Sequence, residues 1–459
     1  MHCKCSVPPL KNKNSTMKYQ DKEIFAIPIG QNVGLKANDD VFVLYAPLSG
    51  HISLIGRDDE LVIRNHIENQ TPISEELQEI VDELLLVPNY APHNYDISMT
   101  TKMSLLPNLV CNFNCSYCYS AKGRSLTILP WEKAKVALDY FINPSRIEPQ
   151  HLSLFISGGG EPLISWDITK KCIEYALERC QALGYTIHIS VVTNGSLITA
   201  EIADFLAQHR CSVCVSFEVL QPLQDLQRKN FDVVNRNIQL LCDKGVRVML
   251  NSTITPTSVA YMEDMVNMVA DKYPYVAQYT MEPVTSVDLF ASGKELGSFY
   301  DHFYTNYIKS KEVAKQRNVN LRFTYDDALR DITIRHCPGK FCITPQGTIS
   351  ACHLVSSPKE KRYEECIYGK IVDGEVMVDK ERFYQLYSIN LFHYERCRNC
   401  FAKFSCGGEC MTRNAIYPAE FMEEVCRFNR RFILHLLVER IEDSIRETCG
   451  LTLEEYVKE

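Results

Sequence analysis

The stretch CNFNCSYCYS places Cys111, Cys115 and Cys118 within eight residues, with Tyr117 just before the last. Three thiolates are one short of a closed tetrahedral zinc site, and such sites usually come as paired knuckles, which this loop lacks. An iron–sulfur cluster asks only for thiolate at each iron. A [4Fe–4S] cube held by three cysteines keeps one iron open to a substrate or cofactor. A missing ligand makes a reactive centre. A second concentration follows: Cys337, Cys342, Cys352, then Cys397, Cys400, Cys406 and Cys410, then Cys426. Eight thiolates make two four-cysteine sets. Two [4Fe–4S] clusters or two zinc ions fit that count, and spacing alone does not choose between them.

The rest of the composition narrows the setting. The chain has 459 residues, 20 of them cysteine, a formal charge of -8 and a pI of about 5.9. A nucleic-acid partner is not expected, because phosphate contacts need a basic face. No run approaches the ~18 apolar residues of a membrane span. The opening MHCKCSVPPLKNKNS has no apolar core and does not read as a secretory signal. The expectation is a cytoplasmic protein with no membrane partner. Disulfide scaffolds are short, secreted and richer in cysteine. Clustered thiols in a reducing compartment point to metal instead. The remaining cysteines are Cys3, Cys5, Cys172, Cys180, Cys211, Cys214, Cys242, Cys366 and Cys449. Most fall on core positions of helices or strands and read as small buried apolar residues.

Elements must position the thiols. Residues 1–95 read as a small domain: β-rich runs IFAIPIG, VFVLYAPLSG and HISLIG, then helical patterns DDELVIRNHIEN and SEELQEIVDELLLV. Pro88 and Pro92 suggest a linker. From 96 to 325 strand and helix alternate, with strand-like runs MSLLPNLV, HLSLFISG, TIHISVVTN, CSVCVSFEV, RVMLNSTIT and YVAQYTMEPV. Between them lie helix stripes such as Ile173, Ala176, Leu177, Cys180 and Leu183. Such alternation predicts an α/β fold, a parallel sheet covered by helices. Six units suggest a partial (β/α)6 TIM-like barrel, open on one side, with its working residues at the strands' carboxyl ends. Residues 326–459 are short Gly- and Cys-punctuated segments that cannot bury a large apolar core, closed by a helix over about 419–447.

The loop CxxxCxxC with an aromatic before its third cysteine resembles the signature of the radical S-adenosylmethionine (SAM) enzymes, in which the open iron chelates SAM. The resemblance implies a [4Fe–4S] cluster on Cys111, Cys115 and Cys118 that splits SAM to methionine and a 5′-deoxyadenosyl radical. Further motifs recur in order. SGGGEP resembles the family's second-strand motif, implying that Gly159 and Gly160 allow close backbone approach and that Glu161 accepts from the methionine amino group. VVTNGS implies Thr193 and Asn194 near the nucleoside. SFE and LQRKNF imply Ser216 and Arg228 at SAM's ribose or carboxylate, and Tyr117 matches the aromatic whose backbone meets the adenine. The tail is similar to the SPASM extension of certain members. That similarity implies two auxiliary [4Fe–4S] clusters, an inner one on Cys337, Cys342, Cys352 and Cys410 and an outer one on Cys397, Cys400, Cys406 and Cys426. Metal-binding energy would then hold together a region poor in apolar sequence.

Enzymes with this tail mostly act on peptides or proteins, with a flavodoxin or ferredoxin as electron donor. Two features bear on the substrate. The sulfatase-maturing members carry an aspartate base directly after the third tail cysteine, where this chain has His353. A histidine can still accept a proton near neutral pH, but the departure weighs against formylglycine formation. The N-terminal strands and helices resemble the winged-helix-like modules that grip a precursor peptide's leader by strand addition. The expected function is therefore a peptide maturase that oxidises or cross-links a ribosomally made precursor, with sulfatase maturation as the alternative.

Overall fold

The computed structural model describes residues 16–20, 22–29, 41–86, 96–337 and 340–458. Cys3, Cys5 and the linker expected at Pro88 and Pro92 lie outside the described residues. The N-terminal unit is an antiparallel sheet, β1 Met17–Lys18, β2 Phe25–Pro28, β3 Val41–Ala46 and β4 His51–Gly56, in that order. Alternation along β3 sends Phe42, Leu44 and Ala46 towards the helices Arg57–Asn69 and Glu75–Leu85, where they meet Ile63, Val81 and Leu84. Val43 and Tyr45 face the other way and join the main core. Both faces of this small sheet are therefore covered.

All six expected barrel strands form and run parallel: β5 Lys102–Leu105, β6 His151–Ile156, β7 Thr186–Thr193, β8 Ser212–Ser216, β9 Arg247–Ile254 and β10 Gln278–Pro283. Their apolar residues, such as Leu152, Leu154 and Ile156 of β6, are fully buried, which follows from helices such as Trp166–Leu183 covering the sheet. A short β11, Leu321–Arg322, adds a parallel strand beyond β10.

The tail departs from expectation. β12, Phe341–Ile343, pairs in parallel with β5, and β13 Thr348–Ser350, β14 Ile367–Val372 and β15 Glu375–Val378 extend the same sheet antiparallel. The resulting 11-stranded order runs from β11 to β15 without closing. The tail thus borrows a core rather than lacking one: Phe341, Ile349, Tyr368, Phe383 and Tyr387 belong to the barrel's apolar cluster. The closing helix Ala419–Cys449 lies along Gly293–Gln316, with Tyr300 stacked on Phe428 at 4.6 Å and Phe323 against Phe432 at 5.0 Å. The helices approach closely at Gly293, where a Cβ would stand 2.9 Å from the Glu420 carbonyl oxygen. Among the described residues, no helix is long and apolar enough to cross a membrane.

Candidate active site

The three-cysteine loop leaves the carboxyl end of β5 and is anchored at its root by Asn108. That side chain donates to the Glu161 carbonyl and to Ser165 Oγ, each at 2.9 Å, and accepts from the Val110 amide. Cys111, Cys115 and Cys118 are free and half-buried. They lie close enough for their charges to couple, and burial pushes the Cys111 and Cys115 thiols up. Arg124 donates to Cys118 Sγ at 3.3 Å and to the Phe113 carbonyl at 2.5 Å. Nothing in the sequence patterning marked that arginine.

The glycines after β6 serve the protein's own backbone. A Cβ on Gly160 would lie 2.0 Å from the Val110 carbonyl oxygen, and one on Gly159 (φ +67°) would lie 2.8 Å from the Asn108 carbonyl oxygen. Glycine at both positions makes room for close loop-on-loop packing. Glu161 is likewise engaged. Its Oε1 accepts from Thr193 Oγ1 at 2.6 Å and the Leu163 amide at 3.1 Å, and its Oε2 accepts from the Asn194 amide at 2.7 Å. The carboxylate ties β6 to β7, and Oε2, with a single bond, can still accept another. Asn194 donates to Asn112 Oδ1 at 2.9 Å and so clips the cluster loop to the end of β7.

Ser216 is half-buried at the end of β8, opposite Asn251. Two residues on, Glu218 is fully buried and bonded to both Tyr117 and Arg228, with Arg228 Nε also 2.6 Å from the Tyr117 hydroxyl. Gln227 is 4% exposed, yet among the described residues neither its amide nitrogen nor its oxygen has a partner. Its backbone carbonyl accepts from the Ser116 amide at 3.1 Å, which sets this buried amide beside the cluster loop.

In the tail, Cys352 couples with both Cys342 and Cys410, and Tyr387 lies near both Cys352 and Cys337. Cys397, Cys400, Cys406 and Cys426 form a separate neighbourhood. Thr412 Oγ1 lies 3.6 Å from Cys352 Sγ, and Asn429 Nδ2 lies 3.5 Å from Cys406 Sγ. Between the two neighbourhoods sits Glu409. It accepts from Tyr325, Asn429, Arg413 and the Cys410 amide at 2.7–3.1 Å. Burial opposes its ionisation, but Arg413, His336 and these bonds hold it at about 2.

Among the described residues, no three His, Cys, Asp or Glu side chains converge as the ligands of a single metal ion. Sets of separated, charge-coupled thiols fit a polynuclear cluster, in which each sulfur serves a different iron.

His353 lies between the loop and the inner set, edge-on to Tyr119 at 6.4 Å. Its Nδ1 is 2.5 Å from the Lys340 ammonium, and burial with that cation pushes its pKa down to about 3. In the tautomer that accepts from Lys340, Nδ1 is engaged there and Nε2 carries the ring proton. A second titratable group was not marked by the motifs. Glu282, on the half-buried face of β10 at its carboxyl end, accepts from Thr324 N at 2.9 Å and Thr324 Oγ1 at 2.5 Å. Burial pushes it up to about 7 against those bonds and Arg413, with Asp326 adding to the rise.

With this geometry in view, comparison with known proteins is informative. The family model described as the Radical SAM superfamily matches residues 105–269. A radical SAM cyclopropyl synthase, TigE, of Paramaledivibacter caminithermalis is 21% identical over 336 residues, covering 66% of each chain. The match thus spans just under two thirds of that protein. A serine-type anaerobic sulfatase-maturating enzyme of Bacteroides thetaiotaomicron is 24% identical over 343 residues, covering 66% of this chain and 80% of its own. Among solved structures, anSMEcpe with bound AdoMet and Cp18Cys peptide superposes with a TM-score of 0.56 at 17% identity, covering 74% of this chain and 98% of that one. Streptococcus suis SuiB bound to its precursor peptide SuiA gives 0.50 at 15% identity, covering 83% and 94%.

Proposed function

We propose that this chain, which carries a radical SAM domain, is a maturase that modifies a ribosomally made precursor peptide. The observation that carries the reading is the N-terminal sheet. It is locked onto the cysteine-rich tail by Lys403 against Glu23 at 2.6 Å and by Lys18 to the Arg398 carbonyl at 3.3 Å. Among the described residues, β4 has a strand neighbour on one side only, so a peptide strand has an edge to join. A held leader raises the effective concentration of the segment to be modified. The wider coverage of this chain by SuiB than by anSMEcpe supports the same reading.

In this reading Cys111, Cys115 and Cys118 hold the SAM-binding cluster, and the two tail sets hold auxiliary clusters. A bound cluster and SAM supply one-electron cleavage and hydrogen-atom abstraction, with electrons from a flavodoxin or ferredoxin. The chain's own residues do the rest. Asn108 and Asn194 fix the loop, the Arg228 guanidinium faces it, and Glu282 gives a proton leaving a peptide hydroxyl or thiol an acceptor poised near neutral pH.

The second reading, sulfatase maturation, is favoured by the Bacteroides thetaiotaomicron relative and its 80% coverage. Mass spectrometry separates the two. The reconstituted protein, intact and lacking 1–95, is given SAM, reductant and either a full-length precursor encoded beside its gene or a short peptide carrying one Cys or Ser. The maturase reading expects precursor turnover to collapse on truncation while SAM cleavage persists. Formylglycine on the short peptide, indifferent to truncation, would overturn it.

A further inference from the structure

Glu218 is fully buried two residues beyond β8, in the sequence Ser216-Phe217-Glu218. Its Oε1 accepts from the Tyr117 hydroxyl and from Arg228 Nε, the latter at 3.1 Å. The Arg228 guanidinium also covers the Tyr117 ring, 5.3 Å from its centroid. One carboxylate oxygen thus joins the cluster loop, the end of β8 and the turn after the helix Gln221–Gln227. Backbone geometry is committed to this aim. Val219 (φ +46°) and Lys229 (φ +74°), each directly after one member of the pair, occupy the left-handed region, where a β-branched residue is strained. The Arg228 charge acts on Cys115, and it also reaches Glu161 and Cys214.

We propose that Glu218 is a positioning residue for the three-cysteine loop. It holds the Arg228 guanidinium beside Cys115 and offsets that cation with its own charge. The pair, rather than the arginine alone, then sets the reduction potential of the iron–sulfur centre on Cys111, Cys115 and Cys118. The proposal rests on the reading that this loop binds such a centre. Cluster potentials follow local net charge and hydrogen bonding at the sulfurs, and charges in a low-dielectric interior are weakly screened. Removing the anion leaves an uncompensated cation at the thiolates and favours the reduced state. Removing the arginine does the opposite.

The test is a potentiometric titration of anaerobically reconstituted full-length protein, followed by electron paramagnetic resonance. The signal perturbed by added SAM identifies the loop's centre. Glu218→Gln is expected to shift its midpoint positive and Arg228→Gln negative, and the double variant to return near wild type. Tyr117→Phe, which deletes a hydrogen bond but no charge, is expected to leave the midpoint in place. An unmoved midpoint in Glu218→Gln with iron content intact overturns the proposal, as does an equal shift in Tyr117→Phe. Should Glu218→Gln fail to retain iron, the double variant, which buries no unpaired charge, decides: a midpoint unlike wild type overturns it. Absence of any SAM-perturbed signal in wild type would refute the functional reading instead.

Discussion

At the carboxyl ends of β6, β7 and β8, polar side chains satisfy one another: Glu161 with Thr193 and the Asn194 amide, Glu218 with Tyr117 and Arg228. Across the sheet, in residues 337–426, the thiols themselves fill the small apolar clusters. Cys397 packs with Ile334, Leu391 and Phe404, and Cys352 with Val355, Tyr363 and Cys366. Burial raises these thiols, Cys397 to about 11 and Cys342 and Cys406 well above the ordinary range. Burial thus favours their neutral form. The first region joins polar side chains over a parallel core, whereas the second gathers buried thiols on a core it shares with the barrel.

The comparison breaks most visibly if the loop's cysteines matter to folding. Changing Cys111, Cys115 and Cys118 to Ala should abolish SAM cleavage and remove roughly a third of about twelve irons, three cubes' worth. The barrel's circular-dichroism melt should hardly move. Removing Cys406 and Cys426 should instead open 330–418 to protease while 100–317 stays resistant; equal protection of both segments would refute the contrast.

Next in size is Gly160→Ala, whose Cβ would stand 2.0 Å from the Val110 carbonyl oxygen. A backbone contact cannot swing aside, so a loss of about 3 kcal/mol in urea unfolding is expected, together with failure to load the loop's iron.

The Glu282 carboxyl makes a comparable, pH-dependent contribution. Folded, it titrates near 7 rather than 4.5, so between those values the folded state binds more protons than the unfolded chain. Its contribution is fully present below about 4.5 and is lost as pH rises through about 7, on the order of 3 kcal/mol in all. Denaturation at pH 5 and pH 8 should show this slope in wild type and a flatter one in Glu282→Gln. Smallest of all, Cys449→Ser should stay within about 0.5 kcal/mol of wild type by the same unfolding measurement, because Cys449 is exposed at the end of the closing helix.

The six parallel strands were legible because each is a β-rich run, often alternating, set between helix stripes. The closing helix, expected over about 419–447, runs Ala419–Cys449. The thiol sets were legible because spacing and residue type carry them. What stayed hidden depends on tertiary placement. β12 is three residues long, too short for periodicity to speak. Glu218, Gln227, Glu282 and Arg124 are single polar residues whose burial no local pattern reports. Their only signal is an offset of one or two residues from a strand or helix end, visible once the strands are fixed. The glycines of SGGGEP were legible as a motif, but their packing against another loop was not, since those atoms lie far along the chain.

The pairing of β12 with β5 sets Cys342 opposite Ser104, six residues before the point where the chain reaches Val110 and the loop begins. A sheet ladder is a ruler with discrete marks. Slipping it by one residue would displace Cys342 by ~3.3 Å and turn its side chain to the other face. The span between the loop's cysteines and the inner set is therefore metered by backbone hydrogen bonds. The ladder is thus a gauge that side-chain motion does not change. An insertion between β12 and β13 should leave that gauge intact, whereas one within β12 should destroy it.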